Sequence, residues 1–214
     1  MHKNLLTGTA LASALLMVAG LLGADAALAR WLRASGWERA PAFTHSLGAA
    51  DTIFGVDVWL WLVGGSLLAL ATLGFAGRRP WRWPRILVAT WAVQVATLAT
   101  MVVGKMLFGR LRPDALLALG AAPGPLWFAG GDAFPSGHTA FWFGLLLPLA
   151  AATRRRWLRI LLLALAISVA LGRIGLGRHF LSDVAASALL AALYALLAGW
   201  LLERWNCPRA ADRN

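Results

Sequence analysis

At 214 residues, 60% of them hydrophobic and only 14% charged, the chain is too apolar for a soluble domain, which runs at about 45–50% apolar and about 25% charged. It is also too short for a second globular unit. The formal net charge of +11 does not point to nucleic acid, because the arginines come in short clusters between apolar runs, as the loop charge of membrane proteins does. The single cysteine, Cys207, excludes an internal disulfide and a cysteine metal cluster. The expectation is an all-α polytopic membrane protein: a bundle of six transmembrane helices in one domain over residues 1–214, with a motif-bearing core at 86–202.

Leu5 to Leu22 is the first apolar run. Its Ala-rich tail, Gly23 to Ala29, resembles a signal-peptidase site, but 18 residues exceed the roughly 7–15 of a signal core, so a retained helix is expected. Arg30 to Asp57 mixes Trp31, Leu32, Trp37 and Phe43 with charges and reads as short interfacial helices; His45 there reads as a surface histidine. Val58 to Ala76 is the second span, followed by a basic turn from Gly77 to Arg85. Ile86 to Gly104 is the third. Asp114 to Phe134 is Gly/Pro-rich and expected to be irregular. Thr139 to Ala152, Ile160 to Leu171 and Val184 to Leu202 complete the set, with a basic turn from Thr153 to Arg159.

Charge gives the orientation. With the N-terminus inside, inner segments hold twelve of the 20 basic residues, among them Lys3, Arg78, Arg79 and Arg154 to Arg156, against only Glu203 and Asp212. Both termini are therefore expected in the cytoplasm, and three polar clusters then fall together on the outer side.

The first cluster runs from Lys105 to Pro113. Lys105 and Arg112 are seven apart, two helical turns, and can converge on one anion; Pro113 is expected to end their helix. The second is Phe134-Pro135-Ser136-Gly137-His138. Ser136 suits an N-cap, Gly137 allows close backbone approach, and the N–H groups of the new helix make an anion site beside His138. The third runs from Gly172 to Asp183. His179 and Asp183 are four apart, so on a helix they can touch, and a carboxylate fixes a histidine's tautomer. Arg173 adds positive charge. Only 13 residues lie between Arg159 and Arg173, about 20 Å of helix against about 30 Å of hydrocarbon, so Arg173 is expected to be recessed. Each cluster has a plainer reading: snorkelling cations in the first, a loop and cap in the second, helix caps in the third.

Taken in order, K-x6-RP at Lys105–Pro113, PSGH at Pro135–His138 and R-x5-H-x3-D at Arg173–Asp183 resemble the type 2 phosphatidic acid phosphatase family, related to the vanadium haloperoxidases. Gly172 stands where that family usually has serine. The resemblance implies that His179 attacks phosphorus to form a phosphohistidine, that Asp183 orients it, and that His138 protonates the leaving oxygen and then activates water. It implies that Lys105, Arg112, Ser136, Gly137 and Arg173 bind the phosphate oxygens. Arg110 and Arg178 are left between shaping the field and lying on the surface. No cofactor and no metal are expected, since no carboxylate cluster is present to hold Mg²⁺. The expected partners are a lipid phosphate and membrane lipids, with no nucleic acid.

The implied activity is lipid phosphate hydrolysis at the periplasmic face of a bacterial inner membrane, with undecaprenyl diphosphate the preferred substrate. Phosphatidylglycerol phosphate, phosphatidic acid and lipid A are alternatives. A carrier binding anionic lipid without chemistry would not need two histidines, and a vanadate-dependent oxidase would be soluble.

Overall fold

The structure, a computed structural model, describes residues 1–36, 66–74, 82–118 and 126–206. Regular structure in those residues is helical, with no strand among them. α1 (Lys3–Ala19) runs through a π-helical turn (Gly20–Ala24), bent at Gly23 with φ 132°, into α2 (Asp25–Ser35). There follow α3 (residues 66–74), α4 (Arg82–Phe108), the short α5 (Pro113–Ala118), α6 (Gly137–Ala152), α7 (Arg156–Gly175) and α8 (Leu181–Asn206).

α6 is the hub. It is apolar on every side, which suits a helix enclosed by others, and Ala140, Phe141, Leu147 and Ala150 are fully buried. It packs against α4, α7 and α8, while α1 lies along α8. Gly144 lets α4 approach closely, since a Cβ there would stand 3.2 Å from the Gln94 Cα; small residues at such crossings are how membrane helices gain contact. The outward faces of the surrounding helices expose Leu15, Leu22, Met106, Leu161, Leu193 and Leu197, a surface suited to hydrocarbon.

Four helices among the described residues are long and apolar enough to cross a membrane: Lys3–Ser35, Trp83–Ala115, Arg156–Gly175 and Leu181–Arg204. The expected count of six is not reached among the described residues, for reasons at two places. The expected fourth span is the 16-residue α6, about 24 Å long; being sheathed by its neighbours, it need not match a bilayer on its own. Of the expected second span, only residues 66–74 are described, and they are helical. Residues 37–65, including His45, residues 75–81, where the expected basic turn begins, residues 119–125, and the tail with Cys207 lie outside the described residues. The fifth helix exceeds its apolar run: α7 has 20 residues, about 30 Å, so Arg173 is buried by packing rather than by a short helix.

The two ends of the bundle differ in chemistry. At one end Lys3 pairs with Glu203 at 2.7 Å and the His2 N–H donates to the Ala151 carbonyl at 2.7 Å; the exposed Arg154 and Arg155 precede α7, which the exposed Arg156 opens. At the other end the π turn, the end of α4, the PSGH segment and the α7–α8 connection meet.

Candidate active site

The first cluster is shaped by glycine. Gly109 adopts φ 47° and ends α4, its N–H donating to the Lys105 carbonyl at 3.1 Å. Residues 108–111 then pair with residues 126–133: Phe128 N–H to Phe108 O at 2.7 Å, Gly131 N–H to Gly109 O at 2.9 Å and Ala133 N–H to Arg110 O at 2.9 Å. A Cβ on Gly131 would meet the Arg110 carbonyl oxygen at 2.2 Å, so this approach requires glycine. Phe108, Trp127 and Phe134 pack edge-on at 5.1–5.8 Å and clamp the pairing. The part of the loop expected to be irregular is therefore pinned at 126–133. Pro113 opens α5 rather than closing α4, a place where its missing N–H is harmless.

Lys105 and Arg112 consequently do not share a helical face, yet they meet on one anion. Arg112 grips Asp132 through both carboxylate oxygens, Nε to Oδ1 at 2.8 Å and Nη2 to Oδ2 at 2.7 Å, with Lys105 Nζ 3.6 Å from Oδ2. The Arg112 hydrogen bonds hold the Asp132 carboxyl well below the usual range, at about 2, against the opposing effect of burial. Asp132 was not anticipated from sequence, although it is the acidic residue nearest PSGH.

In the second cluster Ser136 is the N-cap of α6 and fully buried, but its hydroxyl makes no cap hydrogen bond; it accepts from Thr139 Oγ1 at 3.1 Å. The Ser136 N–H donates to the Asp183 carbonyl at 3.2 Å and its carbonyl accepts from Ser187 Oγ at 2.8 Å, which ties PSGH to α8. Gly137 and His138 form the first turn of α6, both half-buried.

The third cluster turns around the Arg173 carbonyl, which accepts from the Arg178 N–H at 3.1 Å and the His179 N–H at 3.2 Å, with Gly177 at φ 64°. The buried Arg173 is thus beside the buried His179. His179 precedes α8 rather than lying on it, and its ring has two neighbours. Nδ1 donates to the Ala133 carbonyl at 2.9 Å, while Asp183 Oδ2 stands at 3.6 Å, beyond hydrogen-bond length. Asp183 instead accepts the Phe180 N–H at 2.8 Å, bracing the start of the helix. A carbonyl can only accept, so Nδ1 carries the proton and Nε2 keeps its lone pair. Burial pushes the His179 pKa down; Asp183 opposes this and Arg173 and Arg112 reinforce it.

Arg110, left open by the sequence, is central. It is 2% exposed. Nη1 donates to Asp183 Oδ1 at 2.5 Å and Ser182 Oγ at 2.6 Å, and Nη2 to Asp25 Oδ2 at 2.7 Å. Trp127 and Phe180 cover the guanidinium at 4.5 and 4.3 Å. Arg178 is on the surface, 3.8 Å from Asp114. A recess lined by Leu28, Leu32, Pro113, Ile174 and Leu181 reaches Asp25 and His179. Among the described residues no three His, Cys, Asp or Glu side chains gather as metal ligands.

A family profile described as PAP2 superfamily matches residues 83–207. The chain is 32% identical over 139 residues to a lipid A 1-phosphatase of Porphyromonas gingivalis, covering 64% of this chain and 28% of that one. It is 34% identical over 103 residues to a lipid A 4'-phosphatase of Bacteroides thetaiotaomicron, covering 44% and 42%. The chain thus spans less than half the length of these relatives. No solved structure matches.

Proposed function

This chain belongs to the PAP2 superfamily, and on that premise we propose that it hydrolyses a phosphate from a membrane lipid through a phosphohistidine on His179. The observation that carries the reading is the histidine's geometry. Nδ1–H is tied to the Ala133 carbonyl, which leaves Nε2 as the nucleophile in the neutral state that burial favours.

In the proposed reaction Nε2 of His179 bonds to phosphorus as the bond to the lipid oxygen breaks. His138, at the head of α6, gives its proton to that oxygen. Water then attacks phosphorus, His138 takes the water's proton, the N–P bond breaks and inorganic phosphate leaves. Lys105, Arg112 and Arg173, with the Ser136 hydroxyl and the Gly137 N–H, hold the equatorial oxygens as charge develops. Asp132 occupies two of these cations before substrate arrives; a phosphate dianion takes its place. Asp183 acts on His179 as a nearby charge.

The substrate follows from the relatives and the recess. Both relatives are described as lipid A phosphatases, which turns the preference from undecaprenyl diphosphate to a phosphorylated glycolipid of lipid A type. The apolar lining beside His179 suits an acyl chain entering from the side. The basic end of the bundle supports a cytoplasmic location for that end in a bacterial inner membrane and a periplasmic one for the site. With α6, the second span expected at Val58 to Ala76 would complete a six-helix bundle.

The test is phosphate release by purified protein from lipid A, undecaprenyl diphosphate, phosphatidylglycerol phosphate, phosphatidic acid and glucose 1-phosphate in one detergent. The highest kcat/KM on lipid A is expected. Equal rates on glucose 1-phosphate would refute a lipid site, and binding without phosphate release would favour a carrier.

A further inference from the structure

Asp25 is a buried carboxylate in an apolar N-terminal helix, far in sequence from every motif. It is 5% exposed. A charge in such a place is retained at a cost unless it is paired, and this one is paired on both oxygens. Oδ1 accepts the Ser182 N–H at 2.9 Å, and Oδ2 accepts Arg110 Nη2 at 2.7 Å and the Ser182 hydroxyl. The approach depends on Gly20, where a Cβ would stand 2.6 Å from Asp25 Oδ1 and 2.9 Å from the Ser182 nitrogen.

The far side of the same guanidinium holds Asp183. One buried arginine is therefore shared by two carboxylates, and the set carries one negative charge in excess. The face of that set turned to the histidine is Asp183 Oδ2, which accepts the Phe180 N–H and stands 3.6 Å from His179 Nδ1. If Asp25 were neutral, Arg110 would compensate Asp183 alone and drain its field. With Asp25 charged, part of the Asp183 charge remains available to the ring, which becomes cationic when Nε2 bonds to phosphorus.

We propose that Asp25 is a positioning residue for the reaction: through Arg110 and Ser182 it fixes Asp183 and leaves that carboxylate able to stabilise the cationic His179 ring. The N-terminal helix is thereby part of the catalytic apparatus. The proposal rests on the phosphohistidine reading for its effect on rate, but not for its effect on the ring.

Other charges also face His179: Arg173 from α7, Arg112 before α5, Asp132 after the 126–131 turn, and Asp114 of α5 across the recess. They are unchanged in the test variant, Asp25→Asn, which keeps the shape and removes the charge. Two readouts are taken on full-length protein in detergent: kcat and KM on lipid A, and the His179 titration by NMR, assigned with His179→Gln. In Asp25→Asn, kcat falls about 10–100-fold, as when outer partners of a ligating histidine are lost, with KM unchanged, and the His179 pKa moves down. Asp25→Glu recovers part of both. An unchanged His179 titration in folded Asp25→Asn overturns the proposal, as does active purified protein whose N-terminus begins after Asp25. Wild-type protein inactive on every lipid phosphate would refute the phosphatase reading, and the titration would still decide the role of Asp25. If Asp25→Asn does not fold, Ser182→Ala decides: it removes one hydroxyl and no charge, a kcat loss at constant KM supports the brace, and unchanged kcat overturns it.

Discussion

Arg110 and Arg112 are two residues apart in the connection between α4 and α5, and they live in opposite worlds. Arg110 is closed in by Trp127, Phe180, Ser182 and two carboxylates. Arg112, with its side chain 29% exposed, holds Asp132, itself 56% exposed. Burial separates them: a buried ion pair costs several kcal/mol to break, while an exposed one exchanges readily with solvent ions. The first arrangement suits a fixed scaffold and the second a site where a phosphate displaces a carboxylate.

The largest expected effect breaks the buried side. Arg110→Ala leaves two buried carboxylates uncompensated and is expected to cost about 3–5 kcal/mol of stability, read by thermal unfolding in detergent, with loss of activity; near-normal melting would place Arg110 outside the scaffold. Arg112→Ala should lower the melting temperature far less than Arg110→Ala, and lower kcat/KM about 10²–10³-fold, as loss of one transition-state donor does. If its melting fell as far as that of Arg110→Ala, the contrast would collapse.

His138→Ala should slow turnover about 10²–10⁴-fold, less for a diphosphate, whose leaving group needs less protonation; equal losses on lipid A and undecaprenyl diphosphate would remove His138 as the acid. Asp132→Asn, which frees the two cations, should tighten inhibition by inorganic phosphate less than tenfold; weaker inhibition would make Asp132 a support for the cations instead.

Acidity gives the smallest and finest contrast. Asp132 has a folded pKa of about 2, below its unfolded value. Its contribution to stability is therefore complete above about pH 4 and is lost as pH falls toward 2. The His179 pKa is lowered by burial, so the neutral ring persists below the ordinary value of about 6.5. The acid limb of kcat/KM is expected below that value, and a limb above it would contradict a buried neutral nucleophile.

What was legible in the chain followed side-chain chemistry. Three motifs in order, carrying Lys105, Arg112, His138, Arg173, His179 and Asp183, named the family and the candidate site, and the apolar runs named the long helices. What escaped was carried by backbone or by distance. The acceptor for His179 is a carbonyl, at Ala133, and carbonyls leave no mark on composition. Asp25 meets Ser182 across 157 positions; its one trace was an acidic residue in an apolar run, which asks for a partner. The helix break at Gly109 hid because seven-residue spacing reads as helix whether or not the helix continues. The count of spans was hard to read because α6 is short and sheathed by protein, a circumstance hydropathy does not register.

The central claim is that phosphorus is transferred to Nε2 of His179. Full-length protein is mixed with lipid A labelled with ³²P at its phosphates, quenched in alkali, where phosphohistidine survives, and digested for mass analysis. The account predicts label on the peptide containing His179, lost on acidification and absent from His179→Ala, which should also release no phosphate. Label on another residue, or phosphate release by His179→Ala at the wild-type rate, would contradict it.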